Sequence, residues 1–237
     1  MMVLYNYDSN AILAEGCKDR TATELVISYE KLYKRLTKAG IVPVMQRIDN
    51  EVSKVLIESI EAKGLRYQLA SPHDHRLNPA ERAVQTWKNH FISNLHGCDR
   101  HFPAYKWCEI MRQCEMTLNM LRRSRINPKM SAYTQLFGMF DYNRTPLAPL
   151  GTKAFVHERT TQRRSHADHG KIGYVIGPSP QHYRHMYFYL PSTRGNWHTD
   201  TYVFIPSKFE LPANAAADRA TTALEEFTAA MKAKRNR

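Results

Sequence analysis

Two carboxylates in this sequence stand where chemistry is possible. Asp49 closes the run VPVMQRID, and Glu81 lies two residues after Pro79 in NPAERAVQTWKNHF. Acids that meet in space can hold Mg2+ or Mn2+, hard cations that prefer oxygen ligands. Two such ions about 3.5 to 4 Å apart can activate a water or hydroxyl and stabilise the leaving oxygen of a phosphodiester. Each acid also has a plain structural use. Asp49 and Asn50 precede a helical pattern and could cap it. Glu81 could serve the positive end of a helix dipole. On spacing alone the structural uses weigh slightly more.

The elements that would position these acids follow from periodicity. Met2 to Tyr7 and Ala11 to Glu15 read as two strands joined by the turn formers Asp8, Ser9 and Asn10. Thr21 to Glu24 has the form of a capping box, and Leu25, Tyr29, Leu32 and Leu36 then recur at helical spacing up to Gly40. The strand VPVMQRI, expected to be central in its sheet, ends at Asp49, where an α/β sheet gathers its ligand-binding groups. A helix over Glu51 to Lys63 would turn Val52, Val55, Leu56 and Ile60 inward. LRYQLA reads as another strand. Ser71 to Pro79 reads as a loop, with Pro79 suited to a first helical turn.

In the helix after Pro79, Ala80, Val84, Trp87, Phe91 and Leu95 share one stripe, while Glu81, Gln85 and Lys88 share a more polar neighbouring face. Further helices are expected over Tyr105 to Leu121, followed by Arg122, Arg123 and Arg125, and over Ser131 to Phe137. Past Thr145 the character changes to short β-type runs, KAFVH, IGYVIG, HMYFYLP and DTYVFIP, which predict a small all-β module. The expected organisation is a core over residues 1–145, a β-barrel-like module over 146–212 and a basic helical or disordered tail over 213–237.

Lys and Arg total 34 against 22 Asp and Glu, a formal charge of +12. Such an excess favours a polyanionic partner, because each phosphate contact releases condensed counterions. No long apolar run suggests a membrane span, and four cysteines without a CxxC pair suggest a reducing compartment, so an intracellular protein is expected. The terminal KAKRNR is a weak nuclear-targeting pattern. His96, Cys98 and His101 lack the second ligand pair of a zinc site and read as loop residues, as do His73 and His75.

RIDNE followed by NPAERAVQTWKNHF resembles the second and third acidic motifs of the catalytic core of retrotransposon and retroviral integrases, with copia-type elements nearest. VLYNYDSNAILAE, SAYTQLFG and PLGTKAFVH extend the resemblance over most of Met1 to Pro212. It implies an α/β fold with a ribonuclease-H-like mixed sheet flanked by helices, followed by a small SH3-like all-β module. It implies DNA as partner, self-association, and a two-metal site for Mg2+ or Mn2+. Asp49 and Glu81 would be catalytic and metal-binding carboxylates, and Gln85 and Lys88 would face DNA.

The interval between the two acids is a few residues shorter than is usual in that family. The family's first catalytic Asp lies on a strand ahead of the one beginning at Met2, and Asp8, in a turn, does not replace it. The sequence is therefore expected to be an N-terminally truncated integrase-type polynucleotidyl transferase with an incomplete metal site, silent in catalysis. The alternative is a DNA-binding or assembly module without enzymatic role. It would use Arg122, Arg123, Arg125, Lys153, Arg159, Arg163, Arg164, Arg184 and Lys208, with Arg163 and Arg164 the strongest phosphate contacts. Tyr183, Tyr187 and Trp197 could add stacking surface, although a place in the β core suits them better.

Overall fold

The computed structural model describes residues 1–48, 52–70, 79–158 and 168–205. Asp49, the segment holding His73 and His75, Arg159, Arg163, Arg164, Lys208 and the expected C-terminal helix lie outside the described residues. Met1–Ile205 forms one compact unit.

The chain begins with an antiparallel hairpin, β1 (Met2–Asn6) and β2 (Ala11–Glu15), in which Leu4 pairs with Leu13. Helix α1 (Ala22–Lys38) follows, capped by Thr21, whose hydroxyl accepts from Glu24 N. The reciprocal half of the expected capping box is absent: Glu24 accepts from Lys18 N, while Thr21 N donates to Asp19. Gly40, at φ +77, closes the helix, a conformation that glycine adopts without steric cost. Strand β3 (Met45–Ile48) is shorter than the apolar run around it, and Val42 and Val44 remain exposed.

Helix α2 begins later than its sequence pattern suggests, spanning Lys54–Glu61 with Ser53 as cap. Only Leu56 and Ile60 of the four expected inward residues are buried, and Val55 is 51% exposed. The later start leaves just two full turns, too short to bury a wider stripe. Strand β4 (Arg66–Leu69) pairs with β3 in parallel, Ile48 opposite Leu69. Among the described residues β3 is thus one of two strands in its own ladder, not a central strand as expected. The antiparallel and parallel ladders expected of a mixed sheet are both present, as separate two-stranded sheets.

Helix α3 (Pro79–His96) buries Ala83, Trp87 and Phe91. Its buried stripe is rotated from the expected one, since Ala80 and Val84 are only half-buried. The large rings set the stripe: Trp87 and Phe91 stack at 5.9 Å and draw Ala83, four residues before Trp87, inward with them.

A single 3-10 turn leads into α4 (Trp107–Leu121), the central packing element. Two of its polar side chains hold the outer edge of β2. Asn119 accepts from Ile12 N at 2.9 Å and donates to Ile12 O at 2.8 Å, and Glu115 accepts from Ala14 N at 2.8 Å. Arg35 of α1 pairs with the same Glu115 carboxylate. Burial raises the Glu115 carboxyl, while Arg35 and the Ala14 N–H act against that shift. An edge strand that would otherwise expose ladder groups is therefore closed by side chains.

After the short helix α5 (Ala132–Phe137), β5 (Lys153–His157), β6 (Gly170–Pro178), β7 (Met186–Leu190), β8 (Gly195–Thr199) and β9 (Tyr202–Phe204) form an antiparallel sheet in the order β8-β7-β6-β5-β9. The sheet packs on α4: Tyr174, Ile176 and Tyr189 share a core with Ile110, Cys114, Trp87 and Ile12. Its other side has a core of its own, with Val156, Val175, Phe188 and Leu190.

Candidate nucleic-acid interface

Because β3 and β4 run in parallel, the chain leaves both at the same edge of the ladder. Asp49 is the residue after Ile48, the last of β3, and lies outside the described residues. The structure nevertheless bears on its alternative use. Ser53 caps α2, accepting from Leu56 N at 3.4 Å, so that helix does not need Asp49 as its cap.

Glu81 sits in the first turn of α3 and is exposed, as are Gln85 and Lys88 one and two turns on. The opposite face is fixed in the core by Ala83, Trp87 and Phe91, so the polar face is held outward with little freedom to roll. A carboxylate oxygen suits a hard divalent cation. Among the described residues, however, no group of three or more His, Cys, Asp or Glu is disposed to hold a metal ion. Of the expected pair of acids, Glu81 is the member that lies within the described residues.

The arginines that follow α4 divide in use. Arg122 turns inward: its Nε donates to Asn10 O at 2.8 Å and its Nη2 to Asn10 Oδ1 at 2.5 Å, and burial lowers its pKa. It latches the hairpin turn, with its guanidinium half-buried there. Arg123 and Arg125 are exposed. The Arg125 guanidinium lies 4.0 Å from the ring centroid of Tyr7, which is 59% exposed. Backbone bonds from Arg125 N and Ile126 N to Asp8 O, at 3.1 and 3.3 Å, fix this segment against the hairpin turn. Asp8 is accordingly a turn residue. The result is a patch of cations with an exposed phenol ring, a combination suited to phosphate and base contact. The sequence reading missed Tyr7, in the turn after β1, and the half-buried Tyr5, whose ring centroid is 5.9 Å from the same Arg125 guanidinium.

In the β sheet, Tyr187 and Trp197 are half-buried against the two cores, whereas Tyr183 is 62% exposed. Near the end of α3, Cys98 is half-buried, donates to Asn94 O at 3.3 Å and has its thiol pushed up to about 11 by burial. His101 contacts Asp99 at 3.2 Å. These bonds account for both residues within the loop.

No protein-family pattern and no curated protein matches the chain. Among solved structures, it is similar to the catalytic core domain of BIV integrase, at 17% identity and a TM-score of 0.42 over 56% of this chain and 82% of that one. It is also similar to a chain of the simian T-cell lymphotropic virus intasome in complex with PP2A regulatory subunit B56 gamma. There the identity is 11% and the TM-score 0.44, over 87% of this chain and 75% of that one. No helix among the described residues is long and apolar enough to cross a membrane.

Proposed function

We propose that the chain is an integrase-like, DNA-binding module of a retrotransposon, contacting DNA through the outward face of α3 and the Arg123 to Arg125 patch. The observation that carries this reading is the division of α3 into two faces. One is locked into the core by Trp87 and Phe91, and the other presents Glu81, Gln85 and Lys88 to solvent. The charge of +12 supports a polyanionic partner. Binding without catalysis is the form of the function that the described residues support most directly. In the fuller form, Mg2+ or Mn2+ would be held by Glu81 together with Asp49 and would supply Lewis-acid stabilisation at a phosphodiester.

The test is duplex DNA binding by the full chain and by Lys88→Ala, Arg123→Ala and Arg125→Ala. Contacts to phosphate predict that each variant weakens binding to a similar degree on unrelated sequences, because the backbone carries no base information. Wild-type affinity in all three variants would rule out both surfaces.

A further inference from the structure

Between α4, α5 and the end of β6 lies a cavity of about 360 Å³, at the small end of the range for ligand sites. Tyr133 and Phe140 give it an aromatic wall, their centroids 5.5 Å apart, and Tyr187 adds a ring from β7. Arg112 and Arg144 also line it. Both residues are exposed, and neither guanidinium has a hydrogen bond or ion pair among the described residues.

The acids in the wall are already engaged. Glu109 takes Lys106 at 2.5 Å and Asn196 Nδ2 at 2.8 Å. The Asp141 carboxylate accepts the backbone N–H groups of Asn143 and Arg144 at 2.9 and 3.1 Å. Lys106 offsets Glu109, whereas Asp141 keeps its charge against neutral donors, so Arg112 and Arg144 together leave the cavity with a net positive charge.

A buried amide lies just behind the wall. Gln113, 5% exposed, donates its Nε2 to Ala148 O at 2.7 Å. That bond fixes the amide orientation and turns Oε1 away from Ala148, where it has no partner. Oε1 lies against Gly177, at φ +153 beside a register shift in β6, and a Cβ there would come within 3.2 Å of it. The acceptor is closed off behind Gly177, so the cavity is bounded there by backbone and the amide holds the loop at Ala148 in place.

We propose that the cavity binds one nucleotide unit, its base against Tyr133 and Phe140 and its phosphate on Arg112 and Arg144. Aromatic rings beside guanidiniums without an ion-pair partner among the described residues match a nucleobase carrying a phosphate. The proposal rests on the DNA-binding reading for its choice of ligand. The unit comes either from a free nucleotide or from the end of a single strand.

The experiment uses the full chain with 2-aminopurine as fluorescent base, once as the free deoxynucleoside monophosphate and once as the 5′-phosphorylated terminal nucleotide of a single-stranded oligonucleotide. Duplex binding is measured alongside. Saturable quenching is expected, weakened at least about tenfold in the Arg112→Ala/Arg144→Ala double variant. Phe140→Leu should weaken it less, and inorganic phosphate should compete poorly. Tighter binding of the oligonucleotide assigns the site to strand ends, and tighter binding of the monophosphate assigns it to free nucleotide.

The proposal is overturned if quenching does not saturate, if the folded double variant binds as wild type does, or if phosphate competes as well as the nucleotide. Any of these with duplex binding intact removes the cavity site and leaves the DNA-binding reading. Quenching lost in the double variant, in a chain that does not bind duplex, would do the reverse.

Discussion

At the scale of single residues, Glu81 and Arg122 show how the same type of evidence can divide. Both are charged residues that the sequence marks for contact with nucleic acid or metal. Glu81 is held outward by a helix whose other face is buried, while Arg122 is consumed by Asn10. The inward use of Arg122 was not legible because its partner lies 112 residues away in sequence, and no local pattern reports such a contact. The outward face of Glu81, Gln85 and Lys88 was legible, since it depends only on helical period and on two large rings. If Glu81 is a metal ligand, Glu81→Gln should weaken Mn2+ binding, measured by calorimetry on the full chain, by at least about tenfold. Glutamine keeps the size of the side chain and removes its charge. An unchanged Mn2+ isotherm would return Glu81 to the role of a helix-dipole partner.

At the scale of elements, the structure depends on α4 closing β2. Helical spacing in WCEIMRQCEMTLNML made α4 visible in the sequence. The use of Glu115 and Asn119 was not visible, because polar residues four apart ordinarily mark a solvated face. Here they replace a neighbouring strand. Asn119→Ala leaves the N–H and C=O of Ile12, a fully buried residue, without their partner. The expected loss is about 3 kcal/mol, read from the midpoint of denaturant unfolding at unchanged slope. A change below about 0.5 kcal/mol, the range of neutral surface substitutions, would mean that water satisfies the edge and that α4 is not its cover. Strand β8 was missed for a related reason. Its sequence GNWHT lacks apolar alternation, and it is strand because β7 offers it a ladder from Met186 to Leu190.

At the scale of the whole molecule, a basic chain carries a fixed outward helix face, a cationic patch braced by a hairpin turn and a cavity with unpaired guanidiniums. Charge raised the expectation of a polyanionic partner, and packing shows which cations are turned outward where such a partner would meet them. The most direct test of the central claim is the affinity of the full chain for duplex DNA as a function of salt. Each phosphate neutralised contributes about −0.9 to the slope of log K against log salt. With Lys88, Arg123 and Arg125 all engaged, the slope should be about −3 or steeper. A slope flatter than about −1, or the same affinity for an uncharged polymer, would contradict the account.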